Sequence, residues 1–378
     1  MKITAEIEGY IASREGEFLE LLKTLAKIPA PSNHEEKRAA FIKDWLRKNG
    51  AQGVYIDGAL NVVYPVNLGA ENRLRVFMAH TDVVFPDTEE LPLRVSGGKI
   101  FAPGVGDDTA NLVALLFAAK FIAEKGLTPA EGRGVLLVAN SGEEGLGNLR
   151  GARKICGDFG GRIDEFVSFD GVYSHMTCSA VGSRRFKITL RAEGGHSWGN
   201  FGNKSAVLEL AELIVSLRDI KLPRKGKTTW NCGVISGGAS VNTIAQSAEM
   251  LYEFRSDRGE NLLLMQERLE DALDACRDRG VRVDCVLAGE RPCASGVDSL
   301  GQRRLTERCR GAVRDWAGVD AQLEAASTDS NVPLSLGIPA VTLGCYAGGG
   351  AHTREEWVDT ESLKAGYRIA FDVILDSF

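Results

Sequence analysis

No apolar run in this chain of 378 residues reaches the ~18 residues that a membrane-spanning helix needs. The first eight residues, Met1 to Glu8, also lack the apolar core of a secretory signal. No membrane role is expected. Cysteine occurs eight times, but no two stand in C-x-x-C spacing. That speaks against a disulfide framework and a thiolate zinc site, and for free thiols in a reducing cytoplasm. Neither charge sign dominates: the formal net charge is −6, which gives no electrostatic ground for nucleic-acid binding. Internal repeats and low-complexity segments are absent. Histidine is scarce, with five in the chain, and three of them (His80, His196, His352) sit in glycine-rich or strand-end settings.

A chain of this length is too long for one ordinary core, so two domains are expected. Hydrophobic residues make up 44% and charged residues 25%, the balance of a soluble globular protein. Glu15 to Ile28 has helical apolar spacing. Ser32-Asn33-His34-Glu35 reads as a capping box opening a helix from Glu36 to Lys48, which stops at Gly50. His34 reads as a first-turn residue. Asp57-Gly58 between two apolar triplets suggests a hairpin. Short apolar strands then run into chemistry: Leu74–Met78 into His80, Val135–Ala139 into Glu143-Glu144, and Phe166–Phe169 into Asp170. A long helix, Thr109 to Lys125, lies between the first two. Strands of this kind, alternating with helices, predict a mixed, mostly parallel α/β sheet with ligands beyond its carboxyl ends.

The middle section changes character. Arg184 to Arg191 alternates strictly, with Phe186, Ile188 and Leu190 on one face. The order strand, helix, strand, strand, helix, strand over 184–289 is ferredoxin-like α+β, inserted into a discontinuous domain of residues 1–183 and 290–378. After Pro292 the α/β pattern resumes with a helix at 300–316, a strand at Ala340–Gly344 and a terminal helix at 360–376.

The fragments carry ligand chemistry. His80 and Asp82, two apart at a strand end, can leave from one face, and Asp82 can fix the second imidazole nitrogen. A plain polar strand end is the alternative. Asp107-Asp108 stands at a helix start, where aspartate is favoured as a cap, yet two exceed what a cap requires. Glu143-Glu144 lies in a Ser-Gly-Glu-Glu-Gly loop: a solvated acidic loop, or one ligand and one general base. His352 follows three glycines, which allow close backbone approach to a ligand. His175 has no supporting context and reads as a surface or loop residue. Oxygen and imidazole donors suit zinc, cobalt or manganese. No lysine or arginine accompanies the acidic fragments to clamp a phosphate.

Taken in order, H-x-D, G-D-D, E-E, D, G-G-H-S and H resemble the co-catalytic dizinc peptidase family of peptidase T, carboxypeptidase G, acetylornithine deacetylase and succinyl-diaminopimelate desuccinylase. The tail from Ser327-Thr328-Asp329-Ser330-Asn331 to His352-Thr353 looks most like the tripeptidase, peptidase T-like branch. The resemblance covers essentially the whole chain. It implies a zinc-aminopeptidase-like catalytic domain with the inserted segment as a lid, and two divalent metal ions, zinc with cobalt or manganese as alternatives. By that resemblance Asp107 bridges both metals, His80 and Asp170 hold one, and Glu144 and His352 hold the other. Glu143 is the general base, Asp82 orients His80, and His196 acts on the substrate from the lid, often across a homodimer. Asn242 and Arg255 are substrate-binding candidates, and the Asp107–Asp108 bond is expected to be cis. The family often has lysine where this chain has Thr109, and some relatives use glutamate at the Asp170 position. The implied activity is hydrolysis of an amide in a small peptide, with an N-acyl-amino-acid deacylase as the alternative and an inactive metal-binding protein as a remote one.

Overall fold

The computed structural model describes residues 3–378, so Met1 and Lys2, part of the stretch read above for a leader, lie outside the described residues. The chain divides into two compact units, Met1–Ala180 with Ser295–Phe378, and Val181–Ala294. The expected insert, 184–289, falls inside the second.

The first unit is built on an eight-stranded sheet. Its order is Tyr55–Ile56, Val62–Val66, Arg133–Asn140, Arg73–His80, Ile163–Phe169, Ala340–Leu343, His175–Ala180 and Gln322–Ala326. The four central strands are parallel to one another. The Val62–Val66 strand joins them antiparallel, and so does His175–Ala180 on the other side. Side chains alternate between the faces, and both faces are apolar. Phe77, Leu137, Val167 and Val341 face one core. Val76, Met78, Leu136, Val138 and Phe166 face another. Two-sided burial is why these strands read as continuous apolar runs. The helix Asn111–Lys125 is buried along nearly its whole length and is apolar all round, as an interior helix must be. It stops at Gly126, in the left-handed conformation.

The second unit is a four-stranded antiparallel sheet, in the order Thr228–Gly237, Ser247–Ser256, Gly182–Arg191 and Arg282–Arg291. Helices Ala206–Arg218 and Gly259–Asp278 bury its apolar face, with Phe186, Ile188, Leu190, Met250 and Phe254 in the core. The opposite face carries ion pairs such as Lys187–Glu249 and Arg185–Glu253.

Two local expectations are corrected. The helix expected from Thr109 begins at Asn111, after an irregular turn over Val105–Ala110. His175 is exposed, as the surface reading has it, but it stands in no loop: it opens a strand that pairs with both Gln322–Ala326 and Ala340–Leu343. That strand, His-Met-Thr-Cys-Ser-Ala, carries too few apolar residues to announce itself; its neighbours impose it.

The terminal helix Ser362–Leu375 packs against the segment leading to His352. A Cβ on Gly366 would lie 1.5 Å from the Cys345 carbonyl oxygen. Gly366→Ala is therefore expected to destabilise the protein by about 3 kcal/mol through forced backbone displacement. Gly16→Ala, with nothing within 4 Å, should change stability by at most about 1 kcal/mol in the favourable direction. Urea unfolding of both variants checks the pair; equal midpoints would contradict the packing.

Candidate metal centre

The candidate ligands gather at the carboxyl ends of the parallel strands, where the chain leaves the sheet. His80 ends one strand, Asn140 ends the next and leads into Ser141-Gly142-Glu143-Glu144, and Asp170 follows the third at Phe169. Asp107 and Asp108 come from the turn before the buried helix, joined by a cis peptide bond. His352 comes from the glycine-rich loop near the C-terminus, with φ of 63°.

His80 is buried, and its Nδ1 lies 3.0 Å from the Asp82 carbonyl oxygen. That acceptor places the proton on Nδ1 of the neutral ring and leaves the Nε2 lone pair free for a cation. Nε2 lies 3.0 Å from Asp107 Oδ1. The other Asp107 oxygen, Oδ2, lies 3.1 Å from His352 Nε2, which is also 2.9 Å from Glu144 Oε1. Asp107 thus offers one oxygen to each imidazole. Ligand atoms within 4.8 Å of one another form two overlapping groups, His80–Asp107–Asp108–Asp170 and Asp107–Glu144–His352. A third group joins His80, Glu143 and Glu144.

The donor set fits a pair of divalent cations. It offers oxygen and imidazole nitrogen without thiolate, and the His80 tautomer is fixed from behind. Zinc, cobalt or manganese would suit these donors.

Asp82 has a larger task than the one expected of it. Its carboxylate oxygen is 3.5 Å from His80 Nδ1, farther than its own carbonyl. The carboxylate instead accepts the backbone N–H groups of Glu143 at 3.0 Å and Glu144 at 2.9 Å. It also accepts the Ser32 hydroxyl at 2.7 Å. Ser32 is therefore not the helix cap expected: the helix Glu36–Lys48 has no side-chain cap, and Ser32 reaches across to the centre instead. Glu35 holds the same acidic loop from the other side, accepting from Gly142 N–H at 3.0 Å and from Arg150 at 2.9 Å.

Glu356 performs a parallel task for Asp107. Its carboxylate accepts the N–H groups of Gly104, Gly106 and Asp107 at 2.7–2.9 Å. Asp108 accepts the His80 N–H at 2.8 Å and the Asn111 amide at 2.7 Å. None of Ser32, Glu35, Asn111 or Glu356 was singled out for the centre from sequence. No local sequence signal marks them, since each acts through residues distant in the chain.

Burial and crowding shift these groups. Burial, then the charge on Asp107, pushes the Asp170 carboxyl up to about 7. Burial also raises Glu356 to about 7. Burial opposes ionisation of Asp107, yet hydrogen bonds from His352 and His80 pull it below the usual carboxylate range. Hydrogen bonds to Asp107 and Glu144 push His352 up to about 11.

His196, Asn242 and Arg255 belong to the second unit. His196 and Asn242 are neighbours: Gly195-His196 pairs with Thr243-Ile244, and Ser197 N–H donates to the Asn242 carbonyl. His196 Nδ1 accepts from the Trp198 and Gly199 amides at 3.2 and 3.3 Å. Arg255 is not brought to them. It lies toward the far end of the strand that begins at Ser247, opposite Ser183, and its guanidinium pairs with Glu253.

The chain matches the model of Peptidase family M20/M25/M40 over residues 76–376. It is 25% identical over 265 residues to a Peptidase M20 domain-containing protein of Schizosaccharomyces pombe. That match covers 68% of this chain and 64% of the yeast protein, less than two thirds of its length. Carboxypeptidase G2 of a Pseudomonas species is 23% identical over 319 residues, 82% of this chain and 74% of the relative. A solved tripeptidase of Staphylococcus aureus shares the fold with a TM-score of 0.74 at 21% identity, over 95% of this chain and 97% of that one. The chain belongs to Peptidase family M20/M25/M40, a family of metal-dependent hydrolases and the one its motifs resemble. It is a hydrolytic enzyme.

The shifted groups set a stability trend. Asp170 titrates near 7 in the fold against 3.8 as a free side chain, and His352 near 11 against 6.5. In both cases the folded chain holds a proton that the unfolded chain releases, so stability falls as pH rises through each interval. Chelated protein is expected to lose thermal stability from about pH 4 to pH 7 through Asp170 and from about pH 6.5 to pH 11 through His352. Added zinc or cobalt replaces the protons and should stabilise most at the alkaline end. Calorimetry with and without metal measures this; a metal-induced stabilisation that shrinks with pH would contradict it.

Proposed function

We propose that this chain hydrolyses the amide bond of a small peptide, as an aminopeptidase or tripeptidase, with a water activated at a centre of two divalent cations. The observation that carries the reading is Asp107, with one carboxylate oxygen toward His80 and the other toward His352. His80 and Asp170 would hold one cation with Asp107, and Glu144 and His352 the other. When bound, the pair supplies Lewis-acid polarisation of the scissile carbonyl and a water of lowered pKa.

Glu143 is the general base. It is buried, and its backbone is fixed by Asp82 beside the ligand Glu144. It takes the proton of the attacking water and returns it to the leaving amine. His196 acts as donor to the developing oxyanion. With Nδ1 occupied by two backbone N–H groups, the neutral ring carries its proton on Nε2. Asn242 stands beside it as a substrate contact, and Arg255 is the weaker candidate because Glu253 engages it. The reading extends to a homodimer through the second unit, whose edge strand Thr228–Gly237 exposes Val234 and Ile235. Eight free cysteines agree with a cytoplasmic setting.

Glu143→Gln is expected to lower turnover at least about a hundredfold while metal content stays near two equivalents. Glu144→Gln should lower metal content instead. Metal analysis alongside a panel of di- and tripeptides and N-acyl amino acids tests both, and separates peptidase from deacylase. A Glu143→Gln enzyme with near-normal rate would overturn the roles. His196→Ala should reduce turnover and leave metal content unchanged; a loss of metal would make it a ligand.

A further inference from the structure

Asparagine is a poor opening residue for a buried apolar helix, because its amide costs free energy wherever it is left unpaired. Asn111 opens the helix Asn111–Lys125 and is fully buried, yet each part of its amide is used. Its Nδ2 donates to Asp108 Oδ1 at 2.7 Å and to the Gly171 carbonyl at 3.0 Å. Its Oδ1 accepts the Cys345 N–H at 2.6 Å. Both amide protons and the carbonyl are thereby engaged, and one side chain ties together three segments of the candidate centre.

Those bonds serve one side of the centre. Asp170 stands one residue past the parallel pairing of Ile163–Phe169 with Ala340–Leu343, and its N–H donates to the Leu343 carbonyl at 3.0 Å. Beyond that bond Asn111 takes over, holding Gly171 of one segment and Cys345 of the other. The two segments lie close: a Cβ on Gly344 would be 2.0 Å from the Gly171 carbonyl oxygen. Asp108, held by the same amide, accepts the His80 N–H through its other oxygen at 2.8 Å. A continuous chain of hydrogen bonds thus runs from the His80 backbone through Asp108 and Asn111 to the residue after Asp170. The other side has its own supports. Asp82 and Glu35 hold the loop of Glu144. Between Cys345 and His352 the chain is fixed by Ser362 on Ala347 and by pairing of Gly348-Gly349 with Trp357-Val358. Asp107, which faces both imidazoles, is held through its N–H by Glu356.

On the proposed two-cation reading of the site, which this step rests on, the geometry points to Asn111 as a positioning residue that sets the affinity of one cation selectively, the one held by His80 and Asp170. An imidazole and a carboxylate bind a cation tightly only when presented at a fixed separation. Without the Asn111 amide, the Gly171 carbonyl, Asp108 Oδ1 and the Cys345 N–H would be left buried without that partner, a cost that favours displacement of their segments. Asp170 and His80 would then be loosened together. Loss of a partner behind a ligand typically costs about 10–100-fold in metal affinity, and here the loss falls on one cation of two.

Calorimetric titration of the chelated full chain with zinc measures both affinities. The wild type should take up two equivalents. Asn111→Leu, of similar size but without donor or acceptor, should weaken one of them about 10–100-fold and leave the other within about twofold. Asn111→Ser, a milder change, should give the same pattern with a smaller loss. Two further backgrounds identify the cation. With Glu144→Gln, which impairs the opposite site, adding Asn111→Leu should weaken the remaining equivalent about 10–100-fold. With Asp170→Asn, adding Asn111→Leu should leave the remaining equivalent within about twofold. Thermal unfolding of each chelated variant shows that it is folded. A purely structural role would lower the unfolding temperature and both affinities together, and that result in Asn111→Leu and Asn111→Ser would overturn the inference, as would two unchanged affinities. A wild type that binds fewer than two equivalents would overturn the two-cation reading itself.

Discussion

Buried carboxylates repel one another, and the first unit places Asp82, Asp107, Asp108, Glu143, Glu144 and Asp170 together at the ends of its parallel strands. Each carboxylate taken from water disfavours its own ionisation, and each neighbour adds to that. The fold answers with backbone N–H groups more than with ion pairs. Asp82 receives two of them and a hydroxyl. Glu356 receives three. One fully buried cation joins them: Arg38 donates to the carbonyls of Thr81, Leu25 and Ile28, with burial lowering its pKa to about 10. It sits behind the His80–Asp82 turn, held by the first two long helices, and its charge favours ionised Asp82. What remains uncompensated falls on Asp108, Glu144 and Asp170, whose carboxyls burial holds above the usual range. Cations would complete that balance.

The same constraint explains the glycines in the turn before Asp107. Gly104 adopts φ of 70°, and a Cβ there would lie 2.3 Å from the Val83 side chain. A Cβ on Gly106 would lie 2.5 Å from the Tyr346 hydroxyl. Backbone must come this close for its N–H groups to reach Glu356. The turn is therefore fixed by what it donates to, and Asp107 is presented at a set position rather than on a mobile loop.

Much of this was legible in the sequence, and the limits are physical. The two-core sheet could be read because burial on both faces leaves unbroken apolar runs. The second unit could be read because one-sided burial leaves alternation. The ligand candidates could be read because cation chemistry restricts residue type, and strand ends and glycine loops restrict place. The supporting groups could not. Ser32, Glu35 and Glu356 act by hydrogen bonds to backbone or side chains 50 to 252 residues away. Nothing in Thr-Arg-Glu-Glu-Trp separates a buried Glu356 from a solvated one. Asp82 shows the subtler case: its residue type fitted an imidazole partner, but its carbonyl took that contact and its carboxylate took the neighbouring loop. The strand from His175 was hidden because its partners, not its own composition, hold it.

Position in the sheet also divides the work. The central strands carry His80, the acidic loop and Asp170, and each has hydrogen-bonded neighbours on both sides. A change in their register would move His80, the acidic loop and Asp170 together, so these candidate ligands are tied to the most constrained part of the fold. Glu324 lies on Gln322–Ala326, which has a neighbour on one side only and a register shift next to Glu324 itself. Substitutions there disturb one strand and leave the centre in place. Residues on that exposed edge can therefore vary in charge without touching the candidate ligands of the central strands. The candidate ligands of the central strands thus sit where the sheet is most constrained, and the exposed edge strand sits where it is least.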